Sequence, residues 1–145
     1  MTYRIAQFTL ALLGFAVATA GCGHRQLDAV RDRIVRADHQ ATLVGCREML
    51  ANRQSYRVNP HYNGGEQSLR GVAPDPHDPQ IPEAIRNLQP TFIEIFDDSV
   101  HLGFAAGGHR ADVTAFASGV DDKVRGPQIG RGRALVSGLW YYEDL

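Results

Sequence analysis

Between Thr91 and Ala117 the chain alternates apolar and polar residues in three short runs separated by two turn signals. Thr91–Phe96 alternates around Glu94, and Asp97-Asp98-Ser99 breaks the run. Val100, Leu102 and Phe104 share a face of the second run, and Gly107-Gly108 ends it. Val113, Ala115 and Ala117 share a face of the third, over about 110–117. Period-two alternation of strand-forming residues, bounded by Asp and Gly clusters, marks antiparallel hairpins. With Gly107-Gly108 at the tip, His101 pairs near Thr114 and not with His109. Residues 119–132 are charged and glycine-rich and read as loop, and Arg133–Tyr142 supplies a fourth strand. A four-stranded antiparallel meander has an apolar face that another element must cover.

That cover comes from upstream. Leu27, Val30, Ile34, Ala37, Ala41 and Val44 recur at three- and four-residue steps, which is helical spacing. Asp28 with Arg31 and Asp32 with Arg36 fall at i,i+3 and i,i+4 on the polar side. At Gly45 the stripe rotates to Leu43, Cys46, Met49 and Leu50, so residues 26–53 read either as one helix kinked there or as two helices. The pattern is too short for a coiled-coil seam. Residues 57–80 hold Asn59-Pro60, Asn63-Gly64-Gly65 and prolines 74, 76 and 79, and read as a long loop. Pro82 opens a short helix and Pro90 ends it. The expected fold class is α+β, an N-terminal amphipathic helix packed on the four-stranded meander.

The first residues belong to neither layer. Arg4 is the only charge before residue 24, and the apolar run Phe8–Ala18 is eleven residues long. A membrane-spanning helix needs roughly 20 apolar residues; a run of this length after a basic residue is a secretory leader. Ala18-Thr19-Ala20 permits ordinary cleavage before Gly21. Thr19-Ala20-Gly21-Cys22 resembles the lipobox of bacterial lipoproteins, departing from it at Thr19, where that family prefers Leu. The resemblance covers residues 1–22. It implies diacylglycerol on the Cys22 thiol, cleavage just before Cys22 and acylation of the new amine, with palmitate-type chains. It also implies an outer-membrane destination, on the periplasmic side, in a cell with two membranes, because Gly23 stands where an Asp would retain the chain on the inner one. Two or more acyl chains anchor stably where one does not. The chain then divides into a signal peptide (1–21), an anchor and short tether (22–26) and one domain (27–145).

Loss of residues 1–21 from the 145 leaves 124, enough for one domain with a core. The mature chain carries 14 basic and 16 acidic residues, a net charge of −2. That balance gives no electrostatic footing for nucleic acid, whose binding needs clustered Lys and Arg. Lipidation of Cys22 leaves Cys46 as a lone, buried thiol. Without it, a Cys22–Cys46 disulfide is expected in an exported chain, and the protein is instead a secreted soluble domain.

Several chemistries can be weighed against spacing. No His or Cys pair has zinc-ligand spacing, so no metal or other cofactor is expected, although His61 and His77 share a loop with Asp75 and Asp78. His101 and His109 flank a turn without converging. Glu94, Asp97 and Asp98 cluster at a hairpin, where Asp favours local backbone hydrogen bonds. Gly126, Gly130 and Gly132 in GPQIGRG lack the Lys-Ser/Thr ending of a phosphate loop. Neither Ser118 nor Ser137 sits in a nucleophile elbow. No catalytic residue emerges, and an envelope hydrolase ranks third among the readings. Trp140 and Tyr142 share a strand face opposite Leu139 and Tyr141, and form the candidate binding surface for an envelope protein or a glycan. Residues 81–90, the following hairpin and Gly138-Leu139-Trp140-Tyr141-Tyr142 resemble a pattern recurring among small uncharacterised bacterial proteins, which implies an α+β domain and no transferable site. The sequence thus points to a membrane-anchored lipoprotein of the cell envelope whose domain is a binding or structural accessory module.

Overall fold

The computed structural model describes residues 23–56, 72–125 and 132–144. Cys22 and the leader, His61, Gly126 and Gly130 lie outside the described residues. Within them the chain is α+β. Helix α1 covers 23–36; α2 (His39–Ala51), a 3-10 turn (Arg53–Ser55) and α3 (Glu83–Arg86) follow. Then come β1 (Phe92–Ile95), β2 (Ser99–Ala106), β3 (His109–Phe116), α4 (Asp122–Arg125), β4 (Gly132–Val136) and β5 (Leu139–Asp144).

The sheet has five antiparallel strands in the order β1-β2-β3-β5-β4. The first three form the expected meander, with His101 opposite Thr114 as the turn chemistry requires. The run Arg133–Tyr142, expected as one strand, is instead a hairpin. Ser137 and Gly138 turn the chain, and Gly138 has φ 88°, a conformation that favours glycine. β5 therefore pairs with β3 while β4 folds back to the outside, with a bulge between Ala134 and Val136. At the opposite edge Val72 forms an antiparallel bridge to Ile95. The expected loop 119–132 contains α4, whose Asp122 is tied to the β4–β5 turn.

The helical segment is two helices, and the break lies at Ala37-Asp38, not at Gly45. The Asp38 carboxylate accepts the Ala41 N–H at 2.9 Å and caps α2. His39 Nε2 lies 2.8 Å from the Ile34 carbonyl at the end of α1. The rotation of the apolar stripe has the same cause. Leu27, Val30 and Ile34 bury one face of α1, whereas α2 buries Leu43, Cys46 and Met49 and leaves Val44 exposed. Gly45 is a packing residue: an added Cβ would lie 3.1 Å from Pro82 Cβ, so α3 approaches α2 there. Residues 23–26, expected as a polar tether, are part of α1.

One core joins these layers. Ile93, Ile95, Val100, Leu102, Phe104, Val113, Leu139 and Tyr141 meet the helices and Ile81, Ile85 and Leu88. Burial of each such side chain contributes about 1.5–3 kcal/mol. α1 is also fastened to β5 by charge. Arg31 donates to both Glu143 oxygens, at 2.6 and 2.7 Å, and the Tyr141 hydroxyl donates to the same carboxylate. The Arg31 guanidinium holds the Glu143 carboxyl below its ordinary range.

Candidate functional site

The helices cover one face of the sheet, so the other is where polar side chains and rings can gather. Strand register sets two rows across it. One runs Glu94, His101, Thr114, Trp140, Ala134; the next runs Phe92, Gly103, Asp112, Tyr142, Gly132. Directly opposed residues of paired strands share a face, so each row is a line of neighbouring side chains.

The glycines in the second row are niches for rings. A Cβ on Gly103 would lie 1.9 Å from the Phe92 ring, and one on Gly132 would lie 2.2 Å from the Tyr142 ring. Both rings therefore lie flat across a neighbouring strand. The Arg110 guanidinium sits 4.8 Å over Phe92, and its Nε donates to Asp112 at 2.8 Å. Tyr142 is 7% exposed, and burial pushes its phenol up to about 12. Trp140 is half-buried, and its indole N–H donates to Asp122 at 3.1 Å. The same carboxylate oxygen accepts the Gly138 N–H at 2.6 Å. That backbone bond is the main reason Asp122 is held below the usual carboxylate range. Trp140 and Tyr142 are thus brought to one face as expected. Tyr142 offers little ring surface, while Trp140 is fixed in orientation by α4.

His101 occupies the middle of the first row. The Phe96 ring meets it edge-on, with centroids 4.9 Å apart. Burial lowers its pKa, against the opposing pull of Glu94 and Asp112, so the imidazole is neutral near pH 7. Ser99 Oγ lies 3.4 Å from His101 Nε2 and donates its proton to Asp98 at 3.2 Å. A nucleophilic serine must give its proton to the base; here the Ser99 hydroxyl donates to Asp98, at a shorter distance than that to the imidazole. Thr114, between His101 and Trp140, is fully buried, and its Oγ1 is the one buried side-chain polar atom without a hydrogen-bond partner among the described residues.

The remaining candidates do not converge. Asp97 pairs with Arg53, and Asp98 with Arg125 at 2.7 Å. Asp75 and Asp78 accept the backbone N–H groups of His77 and Gln80, at 2.9 and 2.8 Å, closing local turns. His109 stacks on His24 with centroids 4.8 Å apart, far along β3 from Thr114. Among the described residues no group of three or more His, Cys, Asp or Glu is placed to hold a metal ion. Cys46 is a buried free thiol, and desolvation pushes it up to about 12. A cavity of about 820 Å³ opens between α1, α2 and α3, floored by Ala29, Ala37, Ala41, Ala84 and Leu88 and crossed by Arg33. It holds neither Glu94 nor His101.

Asp122, Thr114 and the Arg31–Glu143 pair were not singled out from sequence. The turn dipeptide Ser137-Gly138, whose backbone N–H the Asp122 carboxylate reaches, is the one local signal for the first of them, and it lies inside the run expected as a single strand. Comparison with family models, with curated proteins and with solved structures finds no match to this chain.

Proposed function

We propose that the chain is an exported lipoprotein, anchored in the cell envelope through diacylated Cys22, whose α+β domain is a binding or structural accessory module. The observation that carries this reading is the run Met1–Cys22: one basic residue, an eleven-residue apolar segment and Ala20-Gly21-Cys22 at its end. The state of Cys46 supports it. A buried, free thiol is what remains when the other cysteine is spent on lipid. The outer membrane, periplasmic side, is the destination in a double-membrane cell. Gly23 also has a packing reason to be glycine, given below, so its identity is not owed to sorting alone.

The second sheet face supports binding over catalysis. Its rings are laid flat, and its serine hydroxyl donates to Asp98. Its indole is pre-oriented by Asp122. Fixed aromatic rings beside carboxylates suit a glycan or an envelope protein, since ordering costs little on contact.

Intact-mass measurement of the mature protein from its host tests the anchor. A diacylglyceryl increment is expected, starting at Cys22 and lost in Cys22→Ser, together with retention in membranes until detergent is added. A mature chain with a free Gly21 amino terminus, released by washing alone, would overturn it.

A further inference from the structure

The residue bonded to Cys22 has no slack. Gly23 is buried against the β2–β3 turn: a Cβ on it would lie 2.6 Å from the Gly107 carbonyl oxygen, and a Cβ on Gly107 would lie 2.5 Å from Gly23 Cα. The next residue, His24, stacks on His109 just past the same turn. Gln26 also reaches that turn, its Oε1 lying 2.9 Å from a Cβ on Gly107. Consecutive Cα atoms are about 3.8 Å apart, and Cys22 is joined to Gly23 by a single peptide bond, so any anchor on it is one residue removed in sequence from this clamp.

We propose that the lipid on Cys22 holds the domain flush on the bilayer by its β2–β3 end, so that Arg25, Gly107, Gly108 and Ala105 meet a layer of phospholipid headgroups. This rests on the reading of Cys22 as the anchor. The occupant follows from chain continuity. Acyl chains attached one residue before a clamped glycine cannot enter a membrane without bringing that turn to its surface. The turn suits the position, because Gly107 and Gly108 are exposed and carry no side chains, and a Cβ on Gly108 would meet nothing within 4 Å. Among the described residues the nearby charges are Arg25, the Arg110–Asp112 pair, Arg31 shared by Asp28 and Glu143, and Asp144 at the register position opposite Arg110, so Arg25 is the one cation among them on which neither an ion pair nor a carboxylate hydrogen bond falls. The exposed guanidinium of Arg25 matches headgroup phosphate. β2 has eight residues. At about 3.4 Å per residue the Asp97–Asp98 end therefore stands roughly 24 Å further from the membrane.

Nitroxide labels on the full lipidated protein test this in vesicles of phosphatidylethanolamine and phosphatidylglycerol. Arg25→Cys and Ala105→Cys report the near end; Gln54→Cys and Ser118→Cys report exposed positions away from it. Buried Cys46 takes no label. Collision with a water-soluble nickel chelate is expected to be at least fivefold slower at the near pair than at the far pair. Six Gly/Ser residues inserted between Cys22 and Gly23 should erase that difference while the protein stays in the vesicles. Equal collision rates at all four positions, in chains whose mass shows the diacylglyceryl group, would overturn the orientation and leave the anchor standing. Chains without that mass would overturn both.

Discussion

Glu143→Gln isolates what the Arg31 clasp contributes to holding α1 on the sheet. The carboxylate accepts two guanidinium N–H groups and the Tyr141 hydroxyl, and its side chain is 14% exposed against 39% for Arg31. Exposed ion pairs are worth about 0.2–1 kcal/mol, and breaking a buried one costs about 3–5 kcal/mol. This pair lies between those limits and is screened on the Arg31 side, so removal of the charge should cost about 2 kcal/mol. That is a fall in Tm of roughly 6–8 °C for a domain of this size. Glu143 sits below its ordinary 4.5 in the folded state, chiefly because Arg31 hydrogen-bonds its charged form. The folded chain therefore binds fewer protons than the unfolded chain near that pH. The contribution is complete above 4.5 and drains away as pH falls through the lower folded-state value. Urea unfolding of wild type, Glu143→Gln, Arg31→Met and the double variant gives a coupling energy. It should be about 1–2 kcal/mol near pH 7 and shrink progressively as pH falls below 4.5. A coupling below about 0.3 kcal/mol near neutrality, or one that does not change with pH, refutes the assignment.

Three further expectations follow from single contacts. Asp38→Ala removes the α2 cap and should lower unfolding stability by about 1 kcal/mol, whereas Asp38→Asn, which still accepts the Ala41 N–H, should cost only a fraction of that. Asp122→Ala leaves the Gly138 N–H and the only tryptophan indole without their acceptor, so Trp140 emission should shift to the red and stability should fall by about 1–3 kcal/mol. In wild type the same emission change should appear only in acid, below the ordinary 3.8 of Asp122, because its carboxylate is stabilised in the fold. Cys46, fully buried and pushed up to about 12, should resist thiol reagents in the folded chain near pH 8 and react at once in denaturant.

What the sequence disclosed was set by local chemistry, and what it withheld was set by distance. Gly107-Gly108 fixes the β2–β3 register, so the pairing of His101 with Thr114 was legible from one dipeptide. The apolar stripes of both helices were legible too, but their junction was misplaced. Gly45 drew the kink because glycine weakens helices; the structure uses it for close packing and breaks the chain at Asp38, whose side chain competes for the backbone. Ser137-Gly138 was hidden inside an apolar run, so one strand was expected where two occur. At the candidate site Trp140 and Tyr142 were placed on a common face by period two alone. Asp122 and Glu143 find their partners 16 and 112 residues away, and no local pattern marks such meetings. The burial of Tyr142 likewise depends on Gly132 being its neighbour on the next strand.

The two rims of the sheet decide how copies of this chain would meet if the proposed anchor gathers them on one surface. Molecules confined to a plane collide in similar orientations, which is the arrangement in which free strand rims join and grow into fibres. Here Val72 occupies hydrogen-bonding positions beside β1, and on the far side the irregularity at Ala134–Val136 and the charge of Arg133 spoil β4 as a template. If the chain is anchored as proposed, neighbouring copies on a bilayer would stay separate, and straightening β4 by deletion of Leu135 is the change that would invite them to polymerise.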